Sequence, residues 1–168
     1  MSELTINISR LSEGAHQYTF DVESDNIGLD SRFSQRVRVQ ADLEKTGHQL
    51  HLRAGAQTRV QCTCDRCVDE FQSPLSTHFE IVYLMGENPG PPGSEAEVQY
   101  LGPEMNVIDL GEDVRQFLIL AVPQKLLCKD DCRGLCPKCG SNMNNVRCNC
   151  PTEDVDPRWE VLKKMSLN

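Results

Sequence analysis

The sequence predicts an α+β fold, in which an antiparallel β-sheet is followed by a helix and a cysteine-rich zinc-knuckle segment at the C-terminal side. Three observations predict it. Apolar and polar residues alternate through much of residues 1–85, a single run of helical periodicity lies near residues 110–122, and eight of the nine cysteines form closely spaced pairs. Alternation with period two leaves one face in water, which favours antiparallel over parallel pairing.

We expect one domain with four sub-regions. They are an antiparallel β region at 1–85, a Pro/Gly-rich loop at 86–100, a helix region at 101–127, and a zinc-binding segment with a short C-terminal helix at 128–168. A chain of 168 residues is long enough to bury a core of its own, and with 39% hydrophobic residues wholesale disorder is not expected.

The β region is predicted from its alternating runs. A Lys-Thr-Gly sequence between two of these runs predicts a hairpin turn, and we expect about five or six strands in all. The inward-facing residues predicted by period two are Leu4, Ile6 and Ile8; Tyr18, Phe20 and Val22; Val37, Val39, Ala41 and Leu43; Leu50, Leu52 and Ala54; and Leu75, Thr77, Phe79, Ile81 and Tyr83.

Helical periodicity marks two segments. One apolar face is formed by Leu110, Val114, Phe117, Leu118 and Ala121, so we expect a helix here. Asp109 is the predicted N-cap, and Pro123 is expected to stop the helix. A shorter helix is predicted from Asp156, with Pro157 in its first turn and an apolar stripe of core residues formed by Trp159, Leu162 and Met165.

Charge and targeting signals narrow the functional classes. The net charge is −8, which argues against a protein that coats nucleic acid through bulk electrostatics. Residues 125–168 carry eight basic and six acidic residues and are therefore mildly basic, whereas the rest is acidic. The first residues lack the features of a secretory signal, and no apolar run could span a membrane, so we expect a cytoplasmic protein without a membrane partner.

Cys136, Cys139, Cys148 and Cys150 predict a complete four-thiolate zinc site. Two residues between Cys136 and Cys139 allow a tight turn to aim both sulfurs at one ion, and Gly140 accepts the positive φ at which such a turn closes. Zinc prefers thiolates in tetrahedral arrangement, and cysteines in a chain without a secretory signal are expected as thiolates rather than disulfides.

A second zinc site is predicted by joining two distant pairs. Cys64 and Cys67 have the same spacing as the first knuckle, but Val68 stands where the other turn has a glycine. Cys128 and Cys132 are spaced like neighbours on one helical turn. The alternative is that Cys64 and Cys67 are ordinary thiols or a redox pair, since this spacing is shared by zinc and thioredoxin-like sites. The ninth cysteine, Cys62, is interpreted as a strand residue.

Catalysis has little support in the sequence, so we expect neither an enzyme nor a small-molecule substrate. The four histidines lack metalloprotease spacing, no nucleotide-binding fingerprint occurs, and catalytic zinc usually needs an open coordination position. Cations near the cysteines either neutralise thiolates or bind phosphate. The candidates for RNA contact are Arg133, Lys138 and Arg147, with Lys163 and Lys164 as a second patch.

These motifs resemble the YceD-like family, the large ribosomal RNA subunit accumulation proteins of bacteria and plastids. The resemblance rests on Cys64-x-Arg66-Cys67 with Pro74-Leu75, on Cys128-x-x-Asp131-Cys132-x-Gly134-Leu135-Cys136-Pro137-x-Cys139-Gly140-x-Asn142, on Cys148-x-Cys150, and on Asp156-Pro157-Arg158 with Leu162.

The resemblance implies a role in the accumulation or processing of large-subunit ribosomal RNA, with ribosomal RNA or ribosome-assembly proteins as partners. The alternative function is a thiol redox or metal-handling protein that uses Cys64 and Cys67.

Overall fold

The computed structural model describes residues 3–33, 36–86 and 97–151. The elements, in chain order, are β1 (Thr5–Asn7), β2 (Gly14–Val22), a short 3₁₀ helix (Ser24–Ile27), β3 (Val37–Thr46), β4 (Gln49–Thr63), β5 (Glu70–Met85), β6 (Glu97–Leu101), β7 (Val107–Asp109) and α1 (Gly111–Leu120). The C-terminal helix predicted from Asp156, and the core role predicted for Trp159, lie outside the described residues.

The main sheet has five strands in the order β2-β3-β4-β5-β6. The first four pair antiparallel, as predicted, and the β3–β4 hairpin turns at Gly47, which has φ of 53°. The fifth strand, β6, runs parallel to the end of β5, with Ile81 opposite Glu97 and Met85 opposite Leu101. The sheet is therefore mixed, and the prediction of a wholly antiparallel sheet was wrong at this edge.

Two predicted boundaries are corrected by the short strands. β6 begins at residue 97, inside the range we expected to be loop, because five residues are too few for alternation to stand out. β7 lies in the range expected to be helical and pairs antiparallel with β1 in a separate two-stranded sheet. β1 was predicted from its alternation, but its partner lies about a hundred residues away and only the fold brings them together.

The core lies on one face of the main sheet and beneath α1. The inward faces predicted for β3, β4 and the end of β5 are buried, with Val39, Leu52 and Ile81 fully inaccessible. α1 covers this face through Val114 and Leu118, and the ring of Phe117 stacks on Phe79 with centroids 4.4 Å apart. Aromatic stacking of this kind contributes about 1 kcal/mol beyond the burial of area.

The start of α1 differs by one residue from the prediction. The capping position is occupied by Leu110, and Asp109 is the last residue of β7. The Asp109 carboxylate nevertheless accepts a hydrogen bond from the Gly111 N–H at 2.9 Å, so it satisfies one of the free donors at the helix start. The helix ends at Leu120, ahead of Pro123 as expected. Within the described ranges, no helix has the length and apolar character needed to cross a membrane.

The β4–β5 hairpin positions the cysteines. Its strands are 15 and 16 residues long, much longer than the alternation alone suggested. β3 pairs with β4 only as far as Gln57, so the hairpin continues beyond β3 and ends in a loop at residues 64–69. Cys62 lies in β4 and is buried, as interpreted from the sequence. The far end of a rigid hairpin thus carries the first cysteine pair.

Candidate metal centre

The hairpin tip forms a tight turn around Cys64 and Cys67. The Cys64 N–H donates to the Asp69 carbonyl and the Val68 N–H donates to the Cys64 carbonyl, both at 2.9 Å. The turn closes at Val68, whose φ is 60°. Both cysteines are almost fully buried, with 1% and 2% of their surface exposed. The turn holds their sulfurs together at the end of the sheet.

The segment after α1 docks on this tip and brings Cys128 and Cys132 to it. The backbones of the tip and the segment are hydrogen-bonded to each other, since the Asp65 N–H donates to the Leu126 carbonyl at 2.8 Å. The Leu126 N–H in return donates to the Asp65 carboxylate at 2.7 Å. The Arg66 guanidinium donates to the Cys132 carbonyl at 2.9 Å. These bonds join two parts of the chain that are some sixty residues apart in sequence.

Gly134 allows the closest approach between the two segments. Its φ is 72°, and a Cβ placed there would lie 2.9 Å from the Arg66 carbonyl oxygen. Any larger residue would both strain the backbone and push the segment away from the tip. The Leu135 N–H then donates to the same Arg66 carbonyl at 3.1 Å. A glycine is therefore required here by contact as well as by conformation.

The four sulfurs of the first group have the spacing of a tetrahedral site. The Sγ atoms of Cys64 and Cys132 are 3.8 Å apart, those of Cys67 and Cys128 are 3.7 Å apart, and all four lie within 4.8 Å of one another. A tetrahedron with metal–sulfur bonds of about 2.3 Å has edges of about 3.8 Å. A disulfide would bring two sulfurs to about 2.05 Å. The arrangement fits one metal ion and not a pair of disulfides.

The second group is built from one short stretch of chain. Its turn repeats the first, since the Cys136 N–H donates to the Ser141 carbonyl and the Gly140 N–H to the Cys136 carbonyl, both at 2.9 Å. The sulfurs of Cys136, Cys139, Cys148 and Cys150 all lie within 4.8 Å of one another. Cys136 is buried, whereas Cys139 is exposed and Cys148 and Cys150 are half-buried. The two groups of four are those that the sequence predicted.

Two asparagines connect the groups. The Asn142 side-chain amide donates to the Asp69 carboxylate at 2.6 Å, which ties the second loop to the hairpin tip. The Asn144 amide donates to the Cys132 Sγ at 3.3 Å, and the Asn144 side-chain carbonyl accepts from the Arg133 N–H at 2.9 Å. Sequence reasoning missed Asn144, because a run of asparagines in a loop looks like turn composition; its position between two cysteine pairs was the available signal.

Backbone donors favour ionised thiols in both turns. Burial raises the pKa of Cys64, but N–H groups of Cys128, Cys67 and Arg66 outweigh it and lower this pKa to about 6. The N–H groups of Cys139 and Lys138 are the main cause that lowers the pKa of Cys136 to about 6. Donors aimed at sulfur are what a metal-bound thiolate requires around it.

Neighbouring thiols in each group cannot all ionise without a cation. The Asp69 N–H lowers the pKa of Cys67, but burial and the adjacent sulfurs outweigh it and raise this pKa to about 12. The pKa of Cys150 is likewise raised to about 12, chiefly through its contact with Cys139. Four thiolates within a few ångströms repel one another strongly. A divalent cation at the centre removes this repulsion, and each group could hold one.

The cations singled out by sequence lie around these groups. Arg133, Lys138 and Arg147 are exposed and belong to the loops that carry the cysteines. The Arg66 guanidinium donates a hydrogen bond to the Cys132 carbonyl and so helps to hold the docked segment. Lys163 and Lys164 lie outside the described residues. The structure thus places three of the five RNA candidates at one end of the molecule, beside both sulfur groups.

Comparison with known proteins gives one matching family. The sequence model of the family described as "Large ribosomal RNA subunit accumulation protein YceD" matches residues 52–166, a range that contains both sulfur groups. The chain is 24% identical over 156 residues to "Large ribosomal RNA subunit accumulation protein YCED homolog 1, chloroplastic" of Arabidopsis thaliana, which covers 75% of this chain and 47% of that protein.

Shorter similarities extend to mycobacteria. Uncharacterized proteins of Mycobacterium bovis and Mycobacterium tuberculosis are each 36% identical over 58 residues, which covers 34% of this chain and 28% of theirs. The chain therefore spans less than half the length of these curated relatives. No solved structure matches the chain.

Proposed function

The chain belongs to the YceD family of large ribosomal RNA subunit accumulation proteins, and from this membership we propose that it is a non-enzymatic factor that supports accumulation of large-subunit ribosomal RNA or ribosome assembly, with structural zinc. Family membership supports the ribosomal RNA role, and the observation that carries the zinc part of the proposal is the pair of four-sulfur groups within the matched range. The description of the family names an accumulation role and no chemical reaction.

Zinc is the metal that best suits each group. Tetrahedral sites made only of cysteine hold zinc or iron, and closed sites of four protein ligands are structural. Sulfur separations of 3.7 and 3.8 Å in the first group suit a single ion, whereas a cluster of several irons would hold its thiolates further apart. The ligands would be Cys64, Cys67, Cys128 and Cys132 for one ion, and Cys136, Cys139, Cys148 and Cys150 for the other.

The role of the first ion would be to fasten the hairpin tip to the segment after α1. The tip and the segment meet through a few hydrogen bonds and a small apolar cluster in which Phe71 and Leu127 pack against the cysteines. Such a cluster is too small to hold the segment alone. Metal binding at sites of this kind contributes on the order of 10 kcal/mol to folding. Zinc would therefore make the C-terminal segment a fixed surface.

Direct contact with RNA, in this proposal, is local. The chain has a net charge of −8, so most of its surface repels phosphate. The exposed cations Arg133, Lys138 and Arg147 form the patch that we propose for phosphate contact, with Lys163 and Lys164 as a second patch. With only a few such contacts, RNA affinity should fall only slowly as salt is added. The slope of the logarithm of affinity against the logarithm of salt concentration should be about one unit for each neutralised phosphate.

The alternative of a thiol redox protein fits the geometry less well. Thiol exchange needs a thiolate that a partner can reach. Cys64 and Cys67 have only 1% and 2% of their surface exposed and lie against two further cysteines.

The proposal includes a cytoplasmic location, because reduced thiols persist in that compartment.

Metal analysis tests the first half of the proposal. Purified, reduced protein should carry two zinc ions by native mass spectrometry. Cys67→Ser and Cys139→Ser should each lose one ion, while Cys62→Ser, a change at a cysteine outside both groups, should keep two. A metal-free chain with an unchanged amide NMR spectrum after zinc addition would contradict the proposal.

Deletion and charge reversal test the second half. Deletion of the gene in its own host should lower mature large-subunit ribosomal RNA or raise its precursors. The double variant Arg133→Glu/Arg147→Glu should weaken RNA binding and reduce the salt slope without release of zinc. Arg10→Glu/Arg38→Glu makes the same charge change in the β region and is the matched control. If the first variant loses zinc and keeps RNA binding, these cations serve the thiolates, and the RNA role runs through a protein partner.

A further inference from the structure

Asn144 lies in the loop that carries the second sulfur group, but its side chain contacts a sulfur of the first group. It lies in the loop between Cys139 and Cys148, which the second group closes. Its side-chain amide donates to the Sγ of Cys132, a sulfur of the first group, at 3.3 Å. The amide also donates to the Asn142 side-chain carbonyl at 2.9 Å. One side chain therefore connects the loop of one group to a sulfur of the other.

We propose that Asn144 is a positioning residue that couples the two metal sites, so that an ion in the second group tightens the hold of the first group on its own ion. The inference rests on the proposed function, since it requires that both groups bind metal. It goes beyond it by assigning a role to a residue that is not a ligand.

The coupling follows from what closes the loop. With an ion held by Cys136, Cys139, Cys148 and Cys150, both ends of the loop are fixed and the Asn144 amide is held against the Cys132 sulfur. Without that ion the ends are no longer joined through metal, and only the hydrogen bonds of Asn144 with Asn142 and Arg133 hold its amide near the Cys132 sulfur. The donor that offsets the charge of the Cys132 thiolate is then less firmly held. Partners of metal ligands typically change metal affinity by about 10- to 100-fold.

The backbone between the groups reinforces this connection. Only three residues separate Cys132 from Cys136, and the Met143 N–H donates to the Gly134 carbonyl at 2.9 Å. Leu135 pairs with Asn142 in an isolated antiparallel bridge. The link between the groups is thus short and hydrogen-bonded, and it has little room to absorb a movement. Thermodynamic reciprocity requires that the first ion also tighten the second by the same factor.

Asn145 supplies a matched control. It is exposed, it follows Asn144 directly, and its backbone N–H donates to the Asn142 carbonyl at 3.1 Å. Asn144→Asp keeps a side-chain oxygen that can accept from the Arg133 N–H, but it removes the NH₂ group that donates to the Cys132 sulfur. Asn145→Asp adds the same charge one residue away. The difference between the two variants measures what changes at the Cys132 sulfur itself, which is the loss of the donor together with the carboxylate placed beside it.

The experiment uses the full chain loaded with zinc and, separately, with cobalt. A chromogenic chelator measures the rate of metal loss, and native mass spectrometry counts the ions that remain. The background Cys148→Ser/Cys150→Ser restricts binding to the first group, with Cys150→Ser alone as a milder form, and circular dichroism confirms that the sheet is intact. In that background, cobalt reports the Cys132 thiolate through its charge-transfer absorption.

The coupling predicts a specific pattern. Asn144→Asp should speed metal loss from the first group about tenfold or more in the intact chain. The Cys148→Ser/Cys150→Ser background, which empties the second group, should speed metal loss from the first group by a similar factor. When Asn144→Asp is added to this background, neither the rate of metal loss nor the cobalt spectrum should change further. Asn145→Asp should have little effect in either background.

Other outcomes overturn the inference. If Asn144→Asp acts by the same factor in both backgrounds, Asn144 supports Cys132 locally and the sites are independent. If Asn144→Asp and Asn145→Asp behave alike, the effect is one of charge. A chain that binds two ions with independent release would overturn the coupling alone, whereas a chain that binds none would overturn the proposed function with it.

Discussion

Val68 and Gly140 occupy the same position in two turns of the same design. Each is the fourth residue after the first cysteine of its turn, and each donates its N–H to that cysteine's carbonyl at 2.9 Å. Their φ values are 60° and 70°. In the described part of the chain, Val68 is the non-glycine residue with positive φ, and 63% of its surface is exposed. The first turn thus holds a β-branched residue in a strained conformation with little burial to offset it.

Exchange of these residues should reveal the strain. Val68→Gly should raise the free energy of unfolding by about 1 kcal/mol, because a left-handed conformation costs an L-residue about 1–2 kcal/mol and glycine very little. Gly140→Val should lower it by about 1–3 kcal/mol. Urea unfolding of the zinc-loaded variants measures both. A loss of stability in Val68→Gly would show that the valine side chain makes a contribution that exceeds its strain.

Substitutions at Gly134 and Gly140 distinguish the cost of a steric contact from the cost of a strained backbone conformation. Both have φ close to 70°, but a Cβ at Gly134 would lie 2.9 Å from the Arg66 carbonyl and one at Gly140 would meet nothing within 4 Å. Gly140→Ala should therefore cost only the strain of about 1–2 kcal/mol. Gly134→Ala should cost about 1–3 kcal/mol more, as overpacked sites do. Equal losses in thermal or urea unfolding would contradict the close approach of the two segments.

The two metal sites should differ in how readily they lose metal. The first group has three buried cysteines and one half-buried, whereas in the second Cys139 is exposed and two are half-buried. A chelator should remove the ion of the second group first, in a separate kinetic phase. Alkylation during release, followed by peptide mass mapping, should label Cys139 before Cys64 or Cys67. Simultaneous labelling of both groups would indicate that the whole segment opens at once.

The metal-free, reduced protein should be most stable near pH 9. The pKa values of Cys64 and Cys136 are lowered from 9.0 to about 6, so their ionised forms are favoured in the fold. Their contribution to stability is present above the unfolded value and is lost as pH falls through 6. Those of Cys67 and Cys150 are raised to about 12, so stability declines again as pH rises from 9 towards 12.

Unfolding by urea at several pH values from 6 to 11 measures this profile. Cys64→Ser/Cys136→Ser should reduce the rise between pH 6 and 9, to which the lowered pKa values of Cys132 and Cys139 also contribute. The decline above pH 9 should become smaller as well, because the Cys64 and Cys136 sulfurs help to raise the pKa values of Cys67 and Cys150. Zinc-loaded protein serves as the comparison, because bound thiolates no longer titrate in this range. A flat profile for the metal-free wild type would mean that the turns do not form without metal.

The faces of the long strands could be predicted, whereas the short strands β6 and β7 could not. Val37, Val39, Ala41 and Leu43 alternate over enough residues to specify a buried face, and each is buried. β6 and β7 have five and three residues, too few to show a period by themselves. β7 pairs with β1, about a hundred residues earlier, and β6 pairs with the preceding strand β5 in the parallel sense, which its own sequence does not specify. The helix start was predicted one position too early, at Asp109, because β7 extends to that residue and the capping position moves to Leu110.

What the sequence determined by itself is local. The spacing of Cys136 and Cys139, the glycine that follows, and the nearby second pair are enough to specify one four-sulfur group, because all its ligands lie within fifteen residues. The sequence predicted that Cys64 and Cys67 join Cys128 and Cys132 but left open that they are ordinary thiols or a redox pair, and the tertiary structure decided that the four sulfurs meet. Their approach depends on a β4–β5 hairpin that extends beyond β3 and on a segment docked through backbone hydrogen bonds. It also depends on Gly134, where a Cβ would lie 2.9 Å from the Arg66 carbonyl oxygen. Long-range pairings of this kind follow from the path of the whole chain, which short-range periodicity does not contain.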